Sequence, residues 1–136
     1  DTDILKKLVN KNGFIGLSLY PYHLKNLGDC TAVDFCEMIK ELINLIGEDN
    51  IGIGSDLCLN WPDNVVMWMR NGKWTKDIDY GESKDKNPKW PNLPSWYKQP
   101  SDLNNLFNLM CENNIPEKVS TKIIGQNWFN FMKNQF

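Results

Sequence analysis

The stretch Ile51-Gly52-Ile53-Gly54-Ser55-Asp56 decides how the rest of the chain is read. It follows a helix stop at Gly47, alternates Ile with Gly, and halts at a carboxylate, the pattern of a short buried strand. Upstream, Phe14-Ile15-Gly16-Leu17-Ser18-Leu19-Tyr20 is apolar at nearly every position and closes at Pro21, which cannot extend a central strand. That run reads as a buried parallel strand. Between the two strands, Thr31 is placed to cap a helix, with Asp34 three residues on as a weaker version of the capping box. The core face expected for this helix is Val33, Cys36, Ile39, Ile43 and Ile46. Before the first strand, Ile4, Leu5, Leu8 and Val9 fall at helical spacing and Asn12-Gly13 ends the helix.

Helix, strand, helix, strand with short connections is the signature of βα repetition, in which crossover helices make consecutive strands parallel. The fold class expected is therefore α/β, the C-terminal βα units of a TIM-type (β/α)8 barrel, with two parallel strands and packing helices. Two strands alone leave both sheet edges unpaired, so partner strands are expected from sequence outside this chain or from a second copy. A homo-oligomer follows as the expected state. The chain opens at Asp1 without an initiator Met and reads as the tail of a longer frame or a trimmed piece, a single partial domain over 1–136.

Residues 57–100 form a long loop insertion in this reading, carrying Trp61, Trp68, Trp74, Trp90 and Trp96 among Pro62, Pro88, Pro91 and Pro94, with a hint of a helical turn from Val65 to Arg70. So many tryptophans argue against disorder and for a packed lid or a pocket wall. Ser101 is placed to cap a helix with Leu103, Leu106, Phe107 and Met110 on one face. Pro116 opens another helix with Val119 and Ile123 inward, Gly125 ends it, and Asn127 caps a last helix from Trp128 to Met132.

Fifteen basic and 17 acidic residues are interspersed along 136 positions, so no basic footprint for nucleic acid is present. No apolar run reaches the roughly 18 residues of a membrane span. Cys30, Cys36, Cys58 and Cys111 match no metal or redox spacing and read as buried free thiols, which suits a reducing compartment such as the cytoplasm.

Asp56 is the strongest chemical candidate, because parallel α/β sheets place their active sites where strands end. A carboxylate there can orient water, accept a proton or hold an ammonium group; Asp is also a common cap. His23, the only histidine, and Tyr20 lie after the first strand on the same expected face, with Tyr22 a weaker copy. One histidine does not make a zinc site, which needs three or four ligands.

With IGLSLYP at 15–21, GIGSD at 52–56 and GQNWFNF at 125–131 in view, the chain resembles the C-terminal part of the renal (membrane) dipeptidase family over most of its length. The stretch NWPDNVVMWMRNGKW at 60–74 resembles a loop insertion of some bacterial members. The resemblance implies a barrel with two zinc ions bridged by a carboxylate, hydrolysing dipeptides. It matches Asp56 to an aspartate beside the metal pair, with a catalytic or substrate-orienting role, and Tyr20 to a substrate-side aromatic. It also implies that the metal ligands lie upstream of residue 1, so that this segment holds no zinc and is inactive alone. Where the family commonly continues with an aromatic, Asp and Gly, this chain has Leu57, Cys58 and Leu59. The expectation is thus a segment of a zinc dipeptidase acting on a small peptide. The alternative is a non-catalytic binding or assembly domain that uses its tryptophans as a surface.

Overall fold

The computed structural model describes residues 2–66 and 89–135. Trp68, Trp74 and most of the expected turn after Val65 lie outside the described residues; 63–66 are helical. Two strands, β1 (Ile15–Ser18) and β2 (Ile51–Gly54), run parallel in a register from Ile15 opposite Ile51 to Ser18 opposite Gly54. The Ile15 N–H donates to the Asn50 carbonyl at 2.9 Å and starts the ladder. Helix α1 (Thr2–Val9) precedes β1, and α2 (Ala32–Ile46) is the crossover that makes the pairing parallel. After β2 and the long connection come α3 (Leu103–Glu112), α4 (Glu117–Thr121), a π-helical turn (Lys122–Gln126) and α5 (Asn127–Gln135).

The capping box of α2 is present. Thr31 Oγ1 accepts the Asp34 N–H at 3.1 Å, and Asp34 Oδ2 accepts the Thr31 N–H at 3.4 Å. Lys25 Nζ adds an ion pair to Asp34 Oδ1 at 2.7 Å. The Lys25 ammonium, ahead of the Thr31 hydroxyl, holds the Asp34 carboxyl down at about 2, below its ordinary 3.8. At the other end Gly47 takes φ +81, a backbone state that favours glycine, and its N–H reaches the Ile43 carbonyl at 2.8 Å.

One face of the sheet packs into the core. Ile51 and Leu19 meet Phe35, Cys36 and Ile39 of α2, Leu106 and Met110 of α3, Val119 of α4, and Ile123. Burying each large apolar side chain here contributes about 1.5–3 kcal/mol relative to leaving it in water. Trp96 joins this core, with its ring 5.0 Å from that of Phe35 and its Nε1–H donating to the Cys30 carbonyl at 2.7 Å. The opposite face carries Gly16 and Gly52 and is covered by α5. A Cβ on Gly52 would stand 2.6 Å from Trp128 Nε1 and 2.7 Å from Phe14 Cζ, so the absent side chain is what lets the indole lie on the strand. Phe14 and Phe131 close around Trp128, with ring centroids 4.4 and 6.3 Å from it.

Several local expectations are corrected. Val33 is 57% exposed and Phe35 takes its place inward, because α2 turns the face through positions 35, 36 and 39 toward the sheet. Ile4 and Leu8 of α1 are also exposed, while Leu5 and Val9 are half-buried, so the apolar stripe of that helix is only partly covered. Asp102, not Ser101, receives the chain entering α3: its Oδ2 accepts the N–H groups of Lys98 and Gln99 at 2.8 and 3.1 Å. Gly125 does not end a helix. The backbone stays right-handed through it, and the Asn127 N–H bonds the Lys122 carbonyl five residues back. Asn127 is accordingly helical rather than a cap, and its side chain points across to β2. Cys30 and Cys36 are buried as expected, whereas Cys58 is exposed.

Candidate functional site

The carboxyl ends of β1 and β2 gather the candidate polar residues. On the β1 side, Ser18 Oγ accepts the Tyr20 N–H at 3.1 Å and lies 3.0 Å from His23 Nδ1. Pro21, with its fixed φ, opens a single 3₁₀ turn (Pro21–His23) that folds the imidazole back over the strand end. Tyr20 meets that imidazole edge-on, with ring centroids 5.3 Å apart, and meets Tyr22 at 5.6 Å. Ser18, Tyr20, Tyr22 and His23 therefore form one cluster, with the rings of Tyr22 and His23 open to solvent.

On the β2 side, Asp56 adopts φ +49 and is exposed. Left-handed backbone at a residue other than glycine costs on the order of 1–2 kcal/mol, although Asp tolerates it better than most. Among the described residues none makes a hydrogen bond or ion pair with the Asp56 carboxylate, and none joins it to His23. The turn at Asp56 sends its neighbours inward. Ser55 and Leu57, with Ile53, Leu59, Tyr97, Pro100, Leu103 and Ile124, line a cleft of about 280 Å³. Burial pushes the Tyr97 phenol up, and its hydrogen bond to Ser55 pulls the other way. The cleft wall is thus mixed, with two hydroxyls set among apolar side chains, a composition that suits a small, partly apolar ligand.

Sequence reasoning placed Asp56, Tyr20 and His23 at this end but missed Ser18, Ser55 and Tyr97. Ser18 was visible as the one hydroxyl in an apolar strand. Tyr97 reaches Ser55 only through the return of the long connection, which no local signal reports.

No three His, Cys, Asp or Glu side chains come together among the described residues. With one imidazole, already turned to Ser18, and a solitary Asp56, the described donors do not fit a two-zinc centre. Nor is any described helix long and apolar enough to cross a membrane.

No protein-family model and no curated protein matches this chain. Among solved structures, a crystal structure of an amidohydrolase from Pseudomonas aeruginosa matches over 97% of this chain, with 27% identity and a TM-score of 0.79. The match covers 39% of that amidohydrolase, so the chain spans about two fifths of its length. The two parallel strands and their packing helices correspond to a fragment of that amidohydrolase's barrel.

Proposed function

We propose that this chain is the C-terminal portion of a zinc-dependent amidohydrolase that cleaves dipeptides or related small amides. The observation that carries the reading is the match to an amidohydrolase over 97% of this chain at 27% identity, in a unit where Asp56 follows two residues after the second strand. In this reading the Asp56 carboxylate orients the attacking water or the substrate's ammonium group. Tyr20 and His23 supply ring surface and an imidazole nitrogen to the substrate side. Zinc is held by residues outside this chain, and the 136-residue chain alone is inactive.

The purified chain, assayed against a dipeptide panel with excess zinc, is expected to release no amino acid. Turnover that a chelator abolishes would overturn the assignment of the ligands elsewhere. In a chimera carrying this chain in place of the matching part of the Pseudomonas amidohydrolase, Asp56→Asn is expected to lower kcat by about 10²–10⁴-fold. An active chimera indifferent to that change would remove Asp56 from the mechanism. A binding surface is the second reading, favoured by Trp61, 60% exposed beside the exposed Leu59. Against it, Trp96 spends its ring on the core.

A further inference from the structure

Ser18 stands at the last position of β1 and serves two neighbours with one oxygen. A serine hydroxyl has one proton to give and two lone pairs with which to receive. Ser18 Oγ accepts the Tyr20 N–H at 3.1 Å, which uses one lone pair, and His23 Nδ1 lies 3.0 Å away. Among the described residues, no other group stands ready to take the Ser18 proton. A hydroxyl that already accepts a bond is polarised and becomes the stronger donor. The chain of bonds therefore runs from the Tyr20 N–H through the Ser18 O–H to Nδ1, and the ring proton of the neutral imidazole sits on Nε2.

We infer that Ser18 is a positioning residue: it locks His23 as the Nε2–H tautomer and makes the chain's one imidazole a fixed hydrogen-bond donor at the carboxyl end of β1. Two further contacts hold the ring. The His23 N–H donates to the Tyr20 carbonyl at 2.9 Å, and the Tyr20 ring meets the imidazole at 72° with centroids 5.3 Å apart. All of these contacts are made within residues 18–23, so they stand whatever sequence adjoins the chain. Nε2 makes no hydrogen bond among the described residues, and a donor of this kind takes an oxygen acceptor. On the function proposed above, on which this last step rests, the acceptor is an oxygen of the small amide substrate. The tautomer itself does not rest on it.

The first arm of the test uses the 136-residue chain with isotope-labelled histidine, read by nitrogen NMR. His23 is the only histidine, so its two ring nitrogens are assigned without ambiguity. In mildly alkaline buffer, where ordinary imidazoles are uncharged, Nδ1 is expected to be unprotonated and Nε2 protonated. Ser18→Ala is expected to move both signals to the averaged positions of a free histidine peptide, and Ser18→Thr, which keeps the hydroxyl, to stay with the parent. A proton found on Nδ1, parent signals already those of the free peptide, or equal shifts in the Ala and Thr variants would overturn the inference. The second arm uses the active chimera. There Ser18→Ala is expected to raise KM about two- to tenfold, the weight of one hydrogen bond, with kcat little changed. In a protein already carrying His23→Phe it is expected to add nothing, because both changes remove the same donor. A full additional loss in that background would overturn the action through His23. An inactive chimera beside the expected ring signals would count against the function proposed above and support the tautomer.

Discussion

Adding one methyl group at Gly52 tests the contact between the sheet and the last helix. The Cβ of Gly52→Ala would stand 2.6 Å from Trp128 Nε1 and 2.7 Å from both Trp128 Cδ1 and Phe14 Cζ. Carbon contacts are comfortable near 3.5–4.0 Å, so both rings must retreat by about 1 Å. Neither is free to do so, because the indole is tied to Ile53 O and Phe14 is packed against both Trp128 and Phe131. Overpacking of this kind costs about 1–3 kcal/mol, and loss of the indole hydrogen bond adds about 1 kcal/mol. Reduced unfolded-state entropy from Gly to Ala returns about 0.4–1 kcal/mol. The net loss expected is roughly 1–3 kcal/mol, or about 4–12 °C in Tm for a chain of this size. Thermal unfolding followed by circular dichroism and tryptophan emission measures it. Gly16→Ala and Gly54→Ala meet their nearest atoms only at 3.2 Å and should cost distinctly less. A Gly52→Ala protein as stable as its parent, or the same loss at Gly16, would refute the packing described for Trp128.

Acid should act on α2 through Asp34. Its folded-state pKa, about 2, lies below the ordinary 3.8, so its contribution to stability is fully present above pH 3.8 and fades as pH falls through 2. Asp34→Asn should therefore unfold more easily than the parent at neutral pH and converge with it near pH 2; parallel curves across that window would exclude the Lys25–Asp34 contact. Thiol labelling should separate the cysteines. Burial pushes Cys36 up to about 11, while Cys58 is exposed, so a maleimide at mildly alkaline pH should modify Cys58 in the native state and Cys36 only on unfolding. Equal rates at the two positions, read by peptide mass mapping, would contradict the core assignment.

The two strands and the crossover helix were legible because their signals are local: apolar runs bounded by Pro21 and Asp56, the Thr31–Asp34 pair, and Gly47. The inward face of α2 was legible at Cys36, Ile39, Ile43 and Ile46 and misread only at Val33, since only the direction of the sheet chooses between Val33 and Phe35. Asn127 looked like a cap for the same reason that it donates to the strand. A short amide satisfies whichever backbone group is near, and the nearest here is on a strand far back in the sequence. At the candidate site, Asp56 was legible from its place after a buried strand. Its left-handed backbone was not, and neither was the meeting of Tyr97 with Ser55, which depends on where the connection returns.

The π-helical turn between α4 and α5 constrains how this sequence can vary. One extra residue in a helical turn advances everything beyond it by about 100°. Val119 and Ile123 thereby face the core on one side of the sheet, while Asn127 and Trp128 arrive on the other within the same continuous run. Between Val119 and Asn127, residue identity is free to drift wherever the side chain is exposed. The count is not, since an insertion or deletion of a single position would swing Asn127 and Trp128 off the strand while leaving the helix itself intact.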